Sequence, residues 1–196
     1  NIFIVTDQQD PKIDRAIKKY FPERFRDIRI VDHNEIFEGY EDYIPTFNSI
    51  CISNMLWRIK GLSDQFVYFN DDIFLLRPVN PSDWFVNNKP VLRGRWSFPP
   101  YERLLWDKLK EKFMQFFTSK KHQERSASFQ VNQWNAAKKL GFRWRYFRSG
   151  HTPVALNRQT LKNYFDNHPE ILKKNISFRF RNYYQFNTVA LANHLE

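Results

Sequence analysis

The sequence predicts an α/β fold: a mostly parallel sheet with flanking helices, followed by a helix-rich second half. Two observations carry this. Short apolar, β-branched runs at Ile2 to Val5, Ile28 to Val31 and Phe66 to Phe69 alternate with helical periodicities. That is the strand–helix–strand–helix–strand order expected of parallel strands with right-handed crossovers. Beyond Tyr101 the apolar spacing is helical almost throughout.

Each element has a local cause. Ile2 to Val5 reads as a fully buried strand ending at Thr6-Asp7-Gln8-Gln9. Ile13 to Tyr20 has helical spacing, and Phe21-Pro22 breaks it. Ile28 to Val31 is a second strand closing on Asp32-His33. Pro45-Thr46 opens a helix to about Ile59, with Phe47, Ile50, Cys51 and Met55 near one face and Asn54 and Arg58 a turn apart on another. Gly61 suits its C-cap. The third strand is the Phe66 run. A looser region begins at Pro78, followed by a charged amphipathic helix from Tyr101 to Phe117 and a basic, polar, mobile loop from Thr118 to Ser128. Gln130 to Leu140 is a helix ending at Gly141, and Leu161 to Phe165 and Tyr183 to His194 are helical too. No internal repeat or linker divides the chain, so residues 1–196 are expected to form one Rossmann-like domain.

Composition narrows the class of protein. The 196 residues suffice for a sizeable core, and 18% aromatics with only 5 Gly exclude a disordered chain. With 31 Lys+Arg against 21 Asp+Glu the net charge is +10, which suits anionic partners: phosphorylated sugars, acidic glycans, nucleic acid or an anionic membrane face. The single cysteine, Cys51, excludes an internal disulfide and a cysteine-based zinc site, and its apolar helical setting predicts a buried thiol. No apolar run approaches the roughly 20 residues that span a bilayer. Asn1 is not a methionine and the chain opens directly on a strand, so residues upstream of Asn1 are expected.

The chemistry centres on Phe66-Val67-Tyr68-Phe69-Asn70-Asp71-Asp72, where an apolar strand delivers two adjacent carboxylates to its own end. Ligands of open α/β sheets bind at that edge. Paired carboxylates there suit a divalent cation and a phosphate-bearing substrate; a solvated turn is the bland alternative. Asp7 and Gln8, after the first strand, fall on the same edge and suit a ribose, a sugar hydroxyl or the cation. His151, in Gly150-His151-Thr152-Pro153, is suited to take a proton from a hydroxyl near neutral pH. Arg179 and Arg181 flank Phe180, with Gln185 following, so in an extended segment both guanidiniums face one anion. The Arg143-Trp144-Arg145 stretch suits a glycan or nucleic acid, or one apolar face of a strand.

Taken together these residues resemble the Stealth family, whose members include bacterial capsule polymerases and the lysosomal-enzyme GlcNAc-1-phosphotransferase. Four segments carry the resemblance: Ile4 to Pro11, Ile30 to Phe37, the long stretch Ile44 to Ser49 with Arg58 to Ser63 and Phe66 to Phe74, and His151-Thr152-Pro153 with Phe178-Arg179 and Gln185-Phe186. The resemblance implies a fold related to the GT-A glycosyltransferases and a sugar-1-phosphate transferase. Such an enzyme moves a hexose- or N-acetylhexosamine-1-phosphate from a nucleotide-sugar, UDP-linked by preference, to a hydroxyl of an oligosaccharide or polysaccharide. It further implies Asp71 and Asp72 as ligands of Mg2+ or Mn2+, and His151, Asp72 and Arg179 as catalytic. Asp7, Gln8, Asn48, Arg58, Arg181 and Gln185 would bind substrate. The place implied is the cytoplasm, with peripheral contact at the anionic inner face of the bacterial plasma membrane, and no nucleic acid partner.

Two departures go with it. The family's Trp-Val-Asp-Gly-like first strand has no counterpart here, and the stretch from Trp96 to Phe129 matches no family motif, as a subfamily acceptor element would. Two other functions remain open at this level: a metal-dependent glycosyltransferase using the same donor, and a basic glycan- or nucleic-acid-binding module.

Overall fold

Strand β1 (Ile2–Thr6) pairs in parallel with β2 (Ile28–Asp32), Ile2 opposite Ile28 and Thr6 opposite Asp32. Their crossover is α1 (Asp14–Tyr20) and a 3-10 turn over Pro22–Asp27. The register brings both carboxyl ends together, so Asp7 emerges beside Asp32 and His33. The Asp32 side chain then accepts from the Asn34 N–H and caps the short α2 (His33–Ile36). The computed structural model describes residues 1–106, 109, 113 and 128–196.

The helix expected from Pro45 starts later. α3 starts at Ser49 because the Asn48 side chain caps it by accepting from the Ile50 N–H; it spans Ser49–Met55 and tightens to a 3-10 turn over Leu56–Arg58. Ile50, Cys51 and Met55 are buried as expected, whereas Phe47 lies before the helix and is exposed. Gly61, at φ +82°, turns the chain into β3 (Gln65–Tyr68).

β3 departs from the predicted pattern. Its hydrogen-bonded partner is β8 (Val154–Asn157), antiparallel, with Tyr68 opposite Val154 and Gln65 opposite Asn157. Among the described residues the parallel pairing is confined to β1 and β2. The other pairs, β4 (Phe85–Val86) with β5 (Lys89–Pro90) and β6 (Gly94–Ser97) with β7 (Tyr146–Ser149), are antiparallel. The architecture is therefore mixed α/β with small sheets. The β4–β5 hairpin turns through Asn87 and Asn88, both at positive φ.

Helices dominate the rest: α4 (Phe129–Lys139), α5 (Arg158–Asn167), α6 (Pro169–Ile176) and α7 (Thr188–Leu195). The last two expected helices thus become three, since Pro169 opens a new one and Asn187 caps α7 by accepting from the Ala190 N–H. Residues 101–106 are helical, but much of the expected helix to Phe117, and the expected loop apart from Ser128, lie outside the described residues. The main core gathers Val31, Phe37, Cys51, Met55, Phe165, Ile176, Phe186 and Leu191 from β2, α2, α3 and the C-terminal helices. A satellite cluster joins Trp134 and Tyr146 with Leu104 and Phe142. No helix among the described residues is long and apolar enough to cross a membrane.

Candidate functional site

The antiparallel β3–β8 pair builds the site. Because Tyr68 lies opposite Val154, the residues leaving β3 meet the Gly150–Pro153 loop that enters β8. Nε2 of His151 lies 3.2 Å from both carboxylate oxygens of Asp72. Asn70 Nδ2 stands 3.4 and 3.5 Å from the two ring nitrogens. The Tyr68 hydroxyl donates to Asn70 Oδ1 at 2.6 Å, which leaves the Asn70 amide free to present only donors to the imidazole. An amide that only donates requires a lone pair on the ring nitrogen it faces. With Nε2 beside Asp72, the tautomer that donates Nε2–H to the carboxylate leaves the Nδ1 lone pair for the Asn70 amide, which stands almost equally near both nitrogens. The phenol of Tyr68 is held above its ordinary range by burial, then by the Asp71 charge, with Arg181 opposing and Asp72 adding. It remains a neutral donor at physiological pH.

Beside this chain of contacts opens a cleft of about 310 Å³, lined among others by Ser49, Tyr68, Asn70, Asn132, His151 and Arg181. Phe129, the first residue of α4, meets the His151 ring edge-on at 6.2 Å. Arg181 donates from Nη2 to Ser49 Oγ at 2.8 Å, which places one cation among the residues lining the cleft. The His151 and Asp72 side chains are more than half exposed. Their pairing thus contributes little to stability while leaving both within reach of a ligand.

The structure brings together His151, Asp72 and Arg181 of the residues singled out from sequence, with Asp71 adjoining. Arg179 does not line the cleft. Its carbonyl accepts from the Phe47 N–H and its guanidinium lies 5.4 Å from the Phe47 ring centre. Asn48 and Gln185 are fully buried. Asn48 Nδ2 donates to Gln185 Oε1 at 2.8 Å and to the Phe178 carbonyl, and Gln185 Nε2 donates to the Asn175 carbonyl. They bind the 178–185 segment to the start of α3, which is what sets Arg181 beside Ser49. Arg58 donates to the carbonyls of Ile36 and Glu38 at 2.6 Å each and lies over Tyr40, tying α2 to the end of α3.

Asp7 and Gln8 form a second polar group at the carboxyl ends of β1 and β2. The Gln8 N–H donates to Asp32 at 2.6 Å, and Asp7 lies 3.6 Å from Nδ1 of buried His33. Burial lowers the His33 pKa against the opposing charges of Asp7 and Asp32, and hydrogen bonding from the Asn34 backbone, ahead of that from Gln8, holds Asp32 low.

Among the described residues no group of three or more His, Cys, Asp or Glu is placed to hold a metal. Asp71 and Asp72 nevertheless offer two adjacent carboxylates, all hard oxygens, at an open position. That donor set fits a Mg2+-type ion, which binds through one or two carboxylates and completes its shell with water and substrate phosphate.

Tyr68, Asn70, Ser49 and Phe129 have no role of their own in the sequence reading, although the first three fall in segments it singles out. Asn70 and Ser49 had a signal, being next to Asp71 and Asn48. Phe129 had none, since only the fold sets α4 against the His151 loop.

Residues 1–92 match Stealth protein CR2, conserved region 2. The chain is 42% identical over 89 residues to a capsular polysaccharide phosphotransferase of Neisseria meningitidis serogroup B, covering 45% of this chain and 21% of that protein. It is 28% identical over 201 residues to the receptor polysaccharide phosphotransferase WefC of Streptococcus oralis, covering 92% of this chain and 55% of the relative. An exopolysaccharide phosphotransferase of Lactiplantibacillus plantarum is 26% identical over 193 residues, with 93% and 55% covered. The chain thus spans about half or less of these curated relatives, and the longer alignments extend past the CR2 region to most of this chain.

Proposed function

The chain belongs to the Stealth family, and from that premise we propose that it is an enzyme of surface or capsular polysaccharide synthesis. It transfers a hexose- or N-acetylhexosamine-1-phosphate from a nucleotide-sugar, UDP-linked by preference, to a glycan hydroxyl. The observation that carries the proposal is the His151–Asp72 pair beside a cleft that also holds Arg181. An acid–base group, its carboxylate partner and a fixed guanidinium are what phosphoryl transfer asks of a protein: positioning and charge neutralisation.

The chemistry follows from the tautomer. Nδ1 of His151 takes the proton of the acceptor hydroxyl, displacing the long contact from Asn70. The acceptor oxygen forms a bond to the phosphorus nearest the donor sugar. The bond from that phosphorus to the bridging oxygen breaks, and a nucleoside monophosphate leaves with the electron pair. Asp72 stabilises the imidazolium that forms. Arg181, held by Ser49, gives two parallel donors to a phosphate. Asp71 and Asp72 would hold Mg2+ or Mn2+, which offsets phosphate charge when bound. In the same proposal Arg179, which lies over Phe47, stabilises the transferring phosphate, Asp7 and Gln8 contact the donor at the β1–β2 edge, and Asn48, Arg58 and Gln185 support the pocket walls. The GT-A-related arrangement is supported by the parallel β1–β2 pair, whose carboxyl ends carry Asp7 and Asp32. The net charge of +10 supports work at an anionic inner membrane face.

The test is the nucleotide released when the full-length protein meets a panel of nucleotide-sugars with Mg2+ and an acceptor glycan. Acceptor-dependent release of the nucleoside monophosphate is expected. Release of the diphosphate would make the protein a glycosyltransferase.

A further inference from the structure

Resting on the phosphotransferase proposal for the neighbouring cleft, we infer that Phe47 and Phe180 form a stacking subsite for a pyranose ring of the acceptor glycan. The two rings lie 5.8 Å apart between centres and within 15° of parallel. Both rings are open to solvent, Phe47 63% and Phe180 56% exposed, and they are exposed as one stacked pair and not singly. Nor is the pair loose. The Phe47 N–H donates to the Arg179 carbonyl, the Arg179 guanidinium lies over the Phe47 ring, and Arg181 donates to Ser49. An aromatic ledge is thus held open to solvent by contacts on both of the segments that carry it.

Its position selects the occupant. Phe47 is two residues from Ser49, and Phe180 is next to Arg181; both Ser49 and Arg181 line the cleft that holds His151. A group resting on the ledge can therefore reach into the cleft, where the acceptor hydroxyl must meet His151. The axial C–H bonds of a pyranose carry slight positive charge and suit the negative face of an aromatic ring. An open ledge also lets a polymer continue beyond the site.

Saturation-transfer difference NMR on the full-length protein tests this without turnover. The probes are the methyl glycosides of glucose, galactose, N-acetylglucosamine and N-acetylgalactosamine, with UMP as the nucleotide control. Transfer to ring C–H protons of at least one glycoside is expected. It should weaken about threefold to tenfold in Phe180→Ala and Phe47→Ala and be kept in Phe180→Trp, with the uracil signals of UMP unchanged. Unchanged glycoside signals in both alanine variants, or no glycoside transfer in the unsubstituted protein, would overturn the subsite. So would loss of the uracil signals in place of the sugar signals, which would mark a base site. Because the readout is binding, failure of the phosphotransfer assay alone leaves this result standing.

Discussion

His151 and Asp72 are 79 residues apart in the chain, yet Nε2 of the histidine sits 3.2 Å from both oxygens of the carboxylate. The β3–β8 pairing makes that contact, and Asn70 and Tyr68 stand behind it. A carboxylate that orients an imidazole and stabilises its protonated form is a means of general base catalysis.

On the proposed mechanism, replacing His151 should lower kcat without harming the fold. His151→Ala is expected to lose about 10²–10⁴-fold in kcat, and Asp72→Asn a large part of that. The double variant should be scarcely worse than the worse single one, since the two act as a unit. Thermal melts of the variants should match the parent, because the pair is exposed. Normal turnover in His151→Ala would remove it from the mechanism.

Tyr68→Phe should act through Asn70. Without the phenolic donor the Asn70 amide loses its fixed orientation toward His151. The expected outcome is a lower kcat with donor KM unchanged, plus a stability loss of about 1 kcal/mol for the missing hydrogen bond. A raised donor KM at constant kcat would instead make Tyr68 a binding group.

The buried Asn48–Gln185 bond should matter chiefly to stability. Truncating either residue to alanine strands the other's buried polar group, at about 1–3 kcal/mol. Denaturant titrations of the two single variants and the double should show coupling, the double costing less than the sum. Simple additivity would mean that the 178–185 segment is held by its other contacts.

Stability should fall as the solution becomes acidic. His194 accepts from the Phe147 N–H at Nε2 and its Nδ1 contacts the Ala190 carbonyl, so the neutral ring fits and the charged ring does not. Burial lowers its pKa, the Ala190 bond opposing, and burial also lowers that of His33. With folded values below the ordinary 6.5, the unfolded chain binds more protons through this range, so stability rises with pH. It should be fully present above about pH 6.5 and lost as pH drops through the folded values. Melts between pH 8 and pH 5 should show this, with a shallower slope in His194→Gln. An unchanged slope would assign the loss to other groups.

Chelation should abolish turnover, with Mg2+ or Mn2+ restoring it, and Asp71→Asn should raise the metal concentration needed for half-maximal rate. Full activity in EDTA would leave the two carboxylates without a metal role.

Much of this was legible in local pattern. The Phe66 to Asp72 run and the Gly150 to Pro153 loop each stood out for their own chemistry, and β1, β2, α1 and α4 followed from periodicity, whereas α6 had no counterpart in the sequence reading. Their adjacency was not legible, because an antiparallel pairing across more than 80 residues leaves no local trace. The same limit hid the difference between Arg181, which lines the cleft, and Arg179, which stacks on Phe47. Asn48, Arg58 and Gln185 carried polar chemistry in motif positions, and only packing revealed that they spend it on backbone carbonyls and on each other.

The most direct measurement of phosphate transfer is 31P NMR of the purified glycan product made from a nucleotide-sugar donor. A phosphodiester resonance joining donor sugar to acceptor, absent from the product of His151→Ala, is the predicted result. A lengthened glycan carrying no phosphorus would contradict it and move the reaction to the anomeric carbon.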